Sequence, residues 1–395
     1  MKKILFMVSS MNIGGVEKSL LSLLSVLPKE KYDITVLVLE KKGGFLEYIP
    51  DWVKVEEVTW FKKIKSIIMQ PPKQTIKDYY NNKQYTKILS FICSYLISKQ
   101  LNDRYVYYKS VFKDVPNDIN KYDVAIAYQG PTDVIDYYIA NKVNATKKIS
   151  WVHFDVSKHT INERLYDRLY NKFDKIFVVS KEAKKRLIEK IPAVENKTDF
   201  FPNIVPRDVI NEMSKELVEF DDTYKGKKIV TVGRLSKEKG QDLAIKVLFR
   251  LRKKGYDVRW YCVGDGNDKK EYEMLINEYN LKSDFILLGS TPNPYPYIAK
   301  ADIYVQTSRH EGYCLTLAEA KCLGKPIVTT DFIGAYEQIE DGHNGFIVEC
   351  SEEELYKRVK YLIDNKIERD KIVNNLSKDK FNTKTEIEIF FDYIE

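Results

Sequence analysis

Apolar residues gather in short runs along the chain, and between the runs they recur at helical spacing. Six runs in the first half, KILFMVSS, DITVLVLE, VKVEEVTW, DVAIAYQG, KKISWVHFD and KIFVVS, alternate with helical patterns. Six more follow in the second half: KKIVTVGRL, VRWYCVGDG, FILLGS, ADIYVQTS, PIVTTD and GFIVE. Short apolar runs bounded by turn formers suit strands buried on both faces, and their alternation with helices suits parallel sheets with helical crossovers. The alternation pauses at FFPNIVPRDV, 200–209, whose two prolines and asparagine suit a connecting segment. The pattern predicts an α/β protein of two tandem, doubly wound, Rossmann-like domains facing a central cleft. Residues 1–203 form the first domain, 204–375 the second, and 376–395 a helical segment packing back toward the first. Residues 61–113 interrupt the first alternation and read as a helical element on that domain.

Composition leaves this picture in place: 44% hydrophobic and 31% charged residues are ordinary for globular domains, and 395 residues suffice for two or three of them. The opening MKKILFMVSS lacks the long apolar run and cleavage site of a signal peptide and reads as a first buried strand. Five cysteines, widely spaced and without a CxxC pair, argue against a disulfide framework or a zinc site and favour a reducing cytoplasm. The longest apolar stretch, ILSFICSYLIS, is about half of what a membrane-spanning helix needs.

Three loops that follow strands carry candidate chemistry, because open parallel sheets bind ligands at the carboxyl ends of their strands. In SSMNIGGVEKSLLSLL, Gly14 and Gly15 open a turn before an amphipathic helix expected over Val16 to Leu27. Glycine there lets a ligand approach backbone amides at a helix start, although a plain tight turn explains the pair as well. In VGRLSKEKGQDLAIKVL, Arg234 follows a strand and Lys239 precedes the next helix. Two such cations can meet a diphosphate together, each charge-assisted bond contributing about 1.5–3 kcal/mol; a solvated basic turn is the alternative. In RHEGYCLTLAEAKCLGKP, Glu311 lies in the loop and Glu319 about one turn into the crossover helix. The amides of Gly312, Tyr313, Cys314 and Leu315 at that helix start form an anion site, and the carboxylates would accept hydroxyls from different parts of one ligand. Glu319 capping its own helix is the competing explanation.

These segments together carry a resemblance. EGYCLTLAE resembles the E-x7-E motif of the retaining, nucleotide-sugar-dependent GT-B glycosyltransferases of family 4. VGRLSKEKG is similar to that family's diphosphate-binding segment, MNIGGVEKSL to its GG-x-E loop and PNIV to its interdomain PNG stretch. The resemblance implies a GT-B fold and a retaining hexosyltransferase that moves a sugar from a nucleotide sugar, by default a UDP-sugar, to an acceptor hydroxyl. By position, Arg234 and Lys239 would hold the donor diphosphate and Glu319 the ribose. Glu311 with Gly312, Tyr313, Cys314 and Leu315 would hold the transferred sugar and phosphate, and Gly14 and Gly15 would approach the donor. WVHFD resembles the family's active-site histidine segment and nominates His153, with Asp155 second. VGDGND and GSTPNPYPY, expected to end neighbouring strands, could flank the base. Cys314 stands where relatives often carry glycine or proline, and Ile204-Val205 replaces the glycine of PNG.

No two aspartates are separated by a single residue, so the DxD metal site of the other large glycosyltransferase fold is absent and neither a catalytic metal nor a cofactor is expected. Two other classes stay open: a non-catalytic GT-B subunit that supports a partner glycosyltransferase, and a nucleotide-sugar epimerase or hydrolase of the same fold. Charge adds a partner. From Phe61 to Lys113 eleven basic residues face two acidic ones, a net +9 against +7 for the whole chain, interleaved with aromatic rings. That pattern predicts attraction to an anionic membrane surface and a peripheral position at the inner face of the cell membrane. The acceptor is then a lipid-linked precursor of a surface polysaccharide or glycolipid, or another glycan. A solvated helical face is the alternative, and no recognition motif speaks for nucleic acid.

Overall fold

The computed structural model describes residues 1–395 apart from 155, 157–160, 219, 221–222 and 380–382. The chain divides into two compact units: Met1–Asn12, Leu23–Pro202 and Phe390–Glu395 form the first, Ile13–Ser22 and Asn203–Ile389 the second.

The first unit is built on seven parallel strands: β1 Lys2–Val8, β2 Tyr32–Val38, β3 Lys54–Glu57, β4 Lys121–Gly130, β5 Asn144–Val152, β6 Lys175–Val178 and β7 Thr198–Phe200. Their order is β3-β2-β1-β4-β5-β6-β7, so the winding reverses between β1 and β4. β1 and β2 pair in register from Lys2 with Tyr32 to Val8 with Val38, and Ile4 to Val8 are wholly buried, as a run covered on both faces must be. β7 is a seventh strand beyond the six apolar runs. It is only Thr-Asp-Phe and merges into the proline-rich junction, too short for any periodicity to show. Between β3 and β4 the chain forms four helices, Phe61–Met69, Pro72–Asn81, Tyr85–Leu101 and Arg104–Val111. Phe390 of the last helix packs among Phe6, Trp151 and Phe201, with ring centroids 6.5, 5.9 and 6.2 Å away.

The second unit holds six parallel strands, β8 Lys227–Val232, β9 Val258–Val263, β10 Phe285–Gly289, β11 Ile303–Gln306, β12 Ile327–Thr330 and β13 Phe346–Val348, in the order β10-β9-β8-β11-β12-β13. All six second-half runs become strands. The winding reverses between β8 and β11, which pair directly. At such a reversal the crossover helices diverge to opposite faces and leave a crevice at the carboxyl ends of the two strands. The loop carrying Arg234 and Lys239 leaves β8, and the loop carrying Glu311 leaves β11. β9 and β10 are neighbours, as VGDGND and GSTPNPYPY require.

Candidate functional site

Two loops at the switch point of the second unit are locked together. Lys237–Lys239 forms one turn of 3-10 helix, and Gly240 then turns with φ +69 into the helix Gln241–Lys253. A side chain on Gly240 would meet the Thr307 carbonyl at 2.1 Å, so only glycine allows this approach. Across the contact Arg309 N–H donates to the Glu238 carbonyl at 2.7 Å, and Thr307 Oγ1 donates to the Lys239 carbonyl at 2.9 Å. The Arg309 guanidinium clasps both oxygens of Asp242 at 2.8 and 2.7 Å.

This lock brings Lys239 onto Glu311: its ammonium donates to Glu311 Oε1. Burial alone would lower the Lys239 pKa, but the Glu311 charge and hydrogen bond outweigh it and hold it above the usual lysine value. The same carboxylate oxygen accepts from Ser308 Oγ at 2.9 Å; Gln306 Nε2 donates to Ser308 Oγ at 2.7 Å, and Tyr304 OH to Gln306 Oε1 at 2.6 Å. Tyr304, Gln306 and Ser308 are wholly buried. A polar chain thus runs from the strand interior to Glu311 and fixes its rotamer.

Beyond Glu311 the loop enters the helix Leu315–Cys322 through Cys314, which adopts φ +64. Among the described residues the amides of Gly312, Tyr313, Cys314 and Leu315 donate to no acceptor, leaving four N–H groups at a helix start beside Lys239. The Tyr313 carbonyl accepts from Gln338 Nε2, which holds the loop from behind. Arg234 is not part of the lock. Its side chain is 67% exposed, with Glu238 3.7 Å away, and its carbonyl accepts from the buried Gln241 at 3.0 Å.

Glu319 lies apart from this pair. It is 3% exposed and its Oε1 accepts from Tyr295 OH at 2.9 Å. Burial raises its pKa against the opposing pull of Lys18 and the Tyr295 bond. Lys18 stands 4.4 Å from the Tyr295 ring centre and donates to the Pro292 carbonyl at 3.4 Å, and burial lowers its pKa while Glu319 raises it. Lys18 belongs to the helix Gly15–Leu24, which follows the glycine loop. There Gly14 makes room for Glu17, since a side chain on it would meet Glu17 Oε2 at 2.5 Å, whereas one on Gly15 would meet nothing within 4 Å. Burial pushes the Glu17 carboxyl up to about 7.

His153 follows β5 in the first unit, and its amide donates to the Gly130 carbonyl at 3.2 Å. The imidazole lies beside Trp151 and Tyr128, with ring centres 6.2 and 4.8 Å away. Burial depresses its pKa to about 3, a hydrogen bond to the Tyr128 backbone opposing. The ring is therefore neutral at physiological pH. Its Nε2 is buried with no partner among the described residues, which leaves Nδ1–H for the Tyr128 bond. Asp155, the second nominee, lies outside the described residues.

Reasoning from sequence missed Lys18, Tyr295, Glu17 and the chain from Tyr304 to Ser308. Lys18 and Glu17 sit within MNIGGVEKSL and Tyr295 within GSTPNPYPY, but only proximity in space pairs them with Glu319 or buries them. The polar chain had a signal: Tyr304, Gln306 and Ser308 alternate along one run and so share one face of it.

Residues 211–379 match the family model of the glycosyl transferases group 1. An uncharacterized glycosyltransferase of Methanocaldococcus jannaschii is 29% identical over 231 residues, 53% of this chain and 56% of its own length. The N-acetylgalactosamine-N,N'-diacetylbacillosaminyl-diphospho-undecaprenol 4-alpha-N-acetylgalactosaminyltransferase of Campylobacter jejuni is 30% identical over 207 residues, 52% and 55% of the two chains. The matches thus span about half the length of these relatives. Among solved structures, Anabaena HepE in complex with UDP-glucose superposes with a TM-score of 0.73 at 19% identity, covering 100% of this chain and 99% of its own. Staphylococcus aureus TarM in complex with fondaparinux, alpha-GlcNAc-glycerol and UDP gives 0.70 at 15% identity, covering 100% of both chains. Residues 211–379 are thus similar to the glycosyl transferases group 1, and the chain carries the GT-B fold.

Proposed function

We propose that the chain is a retaining glycosyltransferase that moves a sugar from a UDP-sugar to a hydroxyl of a lipid-linked or other glycan acceptor. The observation that carries this reading is the Lys239–Glu311 pair, held at the switch point beside four N–H groups that donate to no acceptor among the described residues. Cation, carboxylate and amide donors in one place match what a diphosphate bonded to a sugar ring offers: anionic oxygens for Lys239 and the amides, hydroxyls for Glu311. UDP and UDP-glucose in HepE, and the diphospho-undecaprenol acceptor in the name of the Campylobacter relative, support the substrate classes.

In this reading Arg234 swings from its exposed position onto the diphosphate with Lys239, and Glu319 takes the ribose hydroxyls in place of Tyr295. The bond from the anomeric carbon to the phosphate oxygen breaks, and the acceptor oxygen bonds to the same face of that carbon. The acceptor proton passes to the departing phosphate oxygen. Lys239, Arg234 and the helix start hold the developing charge, and Glu311 positions the sugar. Incubation with UDP-sugars, with and without polyprenyl-diphosphate-linked acceptors, tests the reading. UDP release that depends on acceptor and a product that keeps the donor's anomeric configuration support it. Equal release without acceptor makes the chain a hydrolase, and no release with any donor removes the reading.

A further inference from the structure

Helix Tyr85–Leu101 is inverted. Its buried positions are Phe91, Ser94 and Ser98, whereas Leu89, Leu96, Ile97 and Leu101 are 68%, 57%, 44% and 47% exposed and Cys93 is exposed. Each residue advances a helix by about 100°, so positions 89, 93, 96 and 97 share one side, with exposed Thr86, Ser90 and Gln100 beside them, while the buried Ser94 and Ser98 lie toward the other. A helix that only covers a globular core turns leucine inward and serine outward. The reversal leaves a stripe of apolar side chains facing away from the protein, the mark of an interaction surface.

Charge identifies what covers it. The helix carries Lys87 and Lys99 and no acidic residue. The preceding helix Pro72–Asn81, whose Tyr79 packs on Phe91 at 6.1 Å, adds Lys73 and Lys77, and Lys83 lies between the two. Lys73, Lys77, Lys83 and Lys99 are exposed and form no ion pair with a described residue. Tyr80 and Tyr85, 63% and 57% exposed, flank the lysines with rings suited to the headgroup level. A second copy of the chain would bring a +9 segment against another. An apolar stripe bordered by cations and tyrosines complements an anionic bilayer, which is apolar within and negative at its surface. No described helix is long and apolar enough to cross a membrane, so the contact lies in the plane of the surface.

We propose that helix Tyr85–Leu101 docks on an anionic lipid surface, with Leu89, Cys93, Leu96 and Ile97 among the acyl chains and the surrounding lysines at the lipid phosphates. This goes beyond sugar transfer and does not depend on it, because docking is read without donor or acceptor. Cys93 supplies the reporter: with Cys350 replaced by serine, an environment-sensitive fluorophore on Cys93 is followed while vesicles of phosphatidylcholine with phosphatidylglycerol are added. The label is expected to shift to the blue and be quenched by lipids brominated on their acyl chains. Replacing Leu89, Leu96 and Ile97 together with serine should lower partitioning on the order of a hundredfold at an unchanged melting temperature. Lys73→Glu with Lys77→Glu should weaken binding at low salt more than at high salt. Three results would overturn the proposal: no binding to anionic vesicles at low salt, binding in which the Cys93 label stays in water, and a label shift that tracks protein concentration without vesicles. The last would make the stripe a contact between protein chains.

Discussion

Lys239 and Glu311 satisfy each other, so a sugar donor bound as proposed inserts its phosphate and hydroxyls into an ion pair already formed. Such pairing costs little reorganisation, because the Tyr304–Gln306–Ser308 chain already fixes the carboxylate. Arg234, exposed and 3.7 Å from Glu238, is the second cation of the proposed site. Arg234→Ala is expected to lower kcat/KM on the order of a hundredfold by removing one charge donor; steady-state kinetics showing near-normal turnover would remove its diphosphate role. The two glutamates should separate by effect. Glu319→Gln, which keeps the shape beside Tyr295 and Lys18, is expected to weaken nucleotide binding by about tenfold or more with kcat less affected. Glu311→Gln should leave nucleotide affinity near wild type and depress kcat. Calorimetric titration of UDP against both variants checks this, and equal affinity of Glu319→Gln and wild type would free Glu319 from the ribose. The Arg/Lys loop and the glutamate spacing were visible in the chain because each follows an apolar run that ends at the switch point. The seal on Glu319 was not: Lys18, Tyr295 and Glu319 are hundreds of residues apart or on different strands' loops, and no spacing rule joins them.

Among elements, the short β7 and the inverted helix escaped periodicity for opposite reasons. Three residues carry no period, whereas ILSFICSYLIS carries apolar residues on every side, so its composition cannot say which side the fold buries. The helix Asp133–Lys142 carries its own hidden feature. Asp136 is wholly buried, accepting from Thr132 N–H and Ser150 Oγ, each at 2.8 Å, and burial still pushes its pKa up to about 7. A carboxyl with a raised folded pKa holds its proton more tightly when folded, so its stabilisation is complete below about pH 4, its unfolded value, and fades as pH climbs through about 7. Glu17 acts in the same direction over the same window. Asp136→Asn removes one of these groups, so the melting temperature of wild type relative to the variant should fall between about pH 4 and about pH 7. Parallel melting curves for the two proteins across that range would show that Asp136 is ionised in the fold.

For the molecule as a whole, the alternation of runs disclosed two parallel sheets, and their order β3-β2-β1-β4 and β10-β9-β8-β11 put the winding reversals where the candidate loops leave. Both sheets follow from strands too apolar to face water, which any compact arrangement must cover with helices. The proposed neutralisation of the leaving diphosphate by Arg234, Lys239 and a helix start predicts that transfer survives EDTA. Loss of activity that manganese or magnesium restores would reassign that charge to a metal. The central claim is that the β8–β11 switch point binds the nucleoside diphosphate of a sugar donor, and titration calorimetry with UDP on wild type and Lys239→Ala tests it most directly. The account predicts saturable binding to the wild type and affinity weaker by on the order of a hundredfold in Lys239→Ala, since a charge-assisted phosphate contact contributes about 1.5–3 kcal/mol. Equal UDP affinity in the two proteins, or no nucleoside diphosphate bound by the wild type, would contradict it.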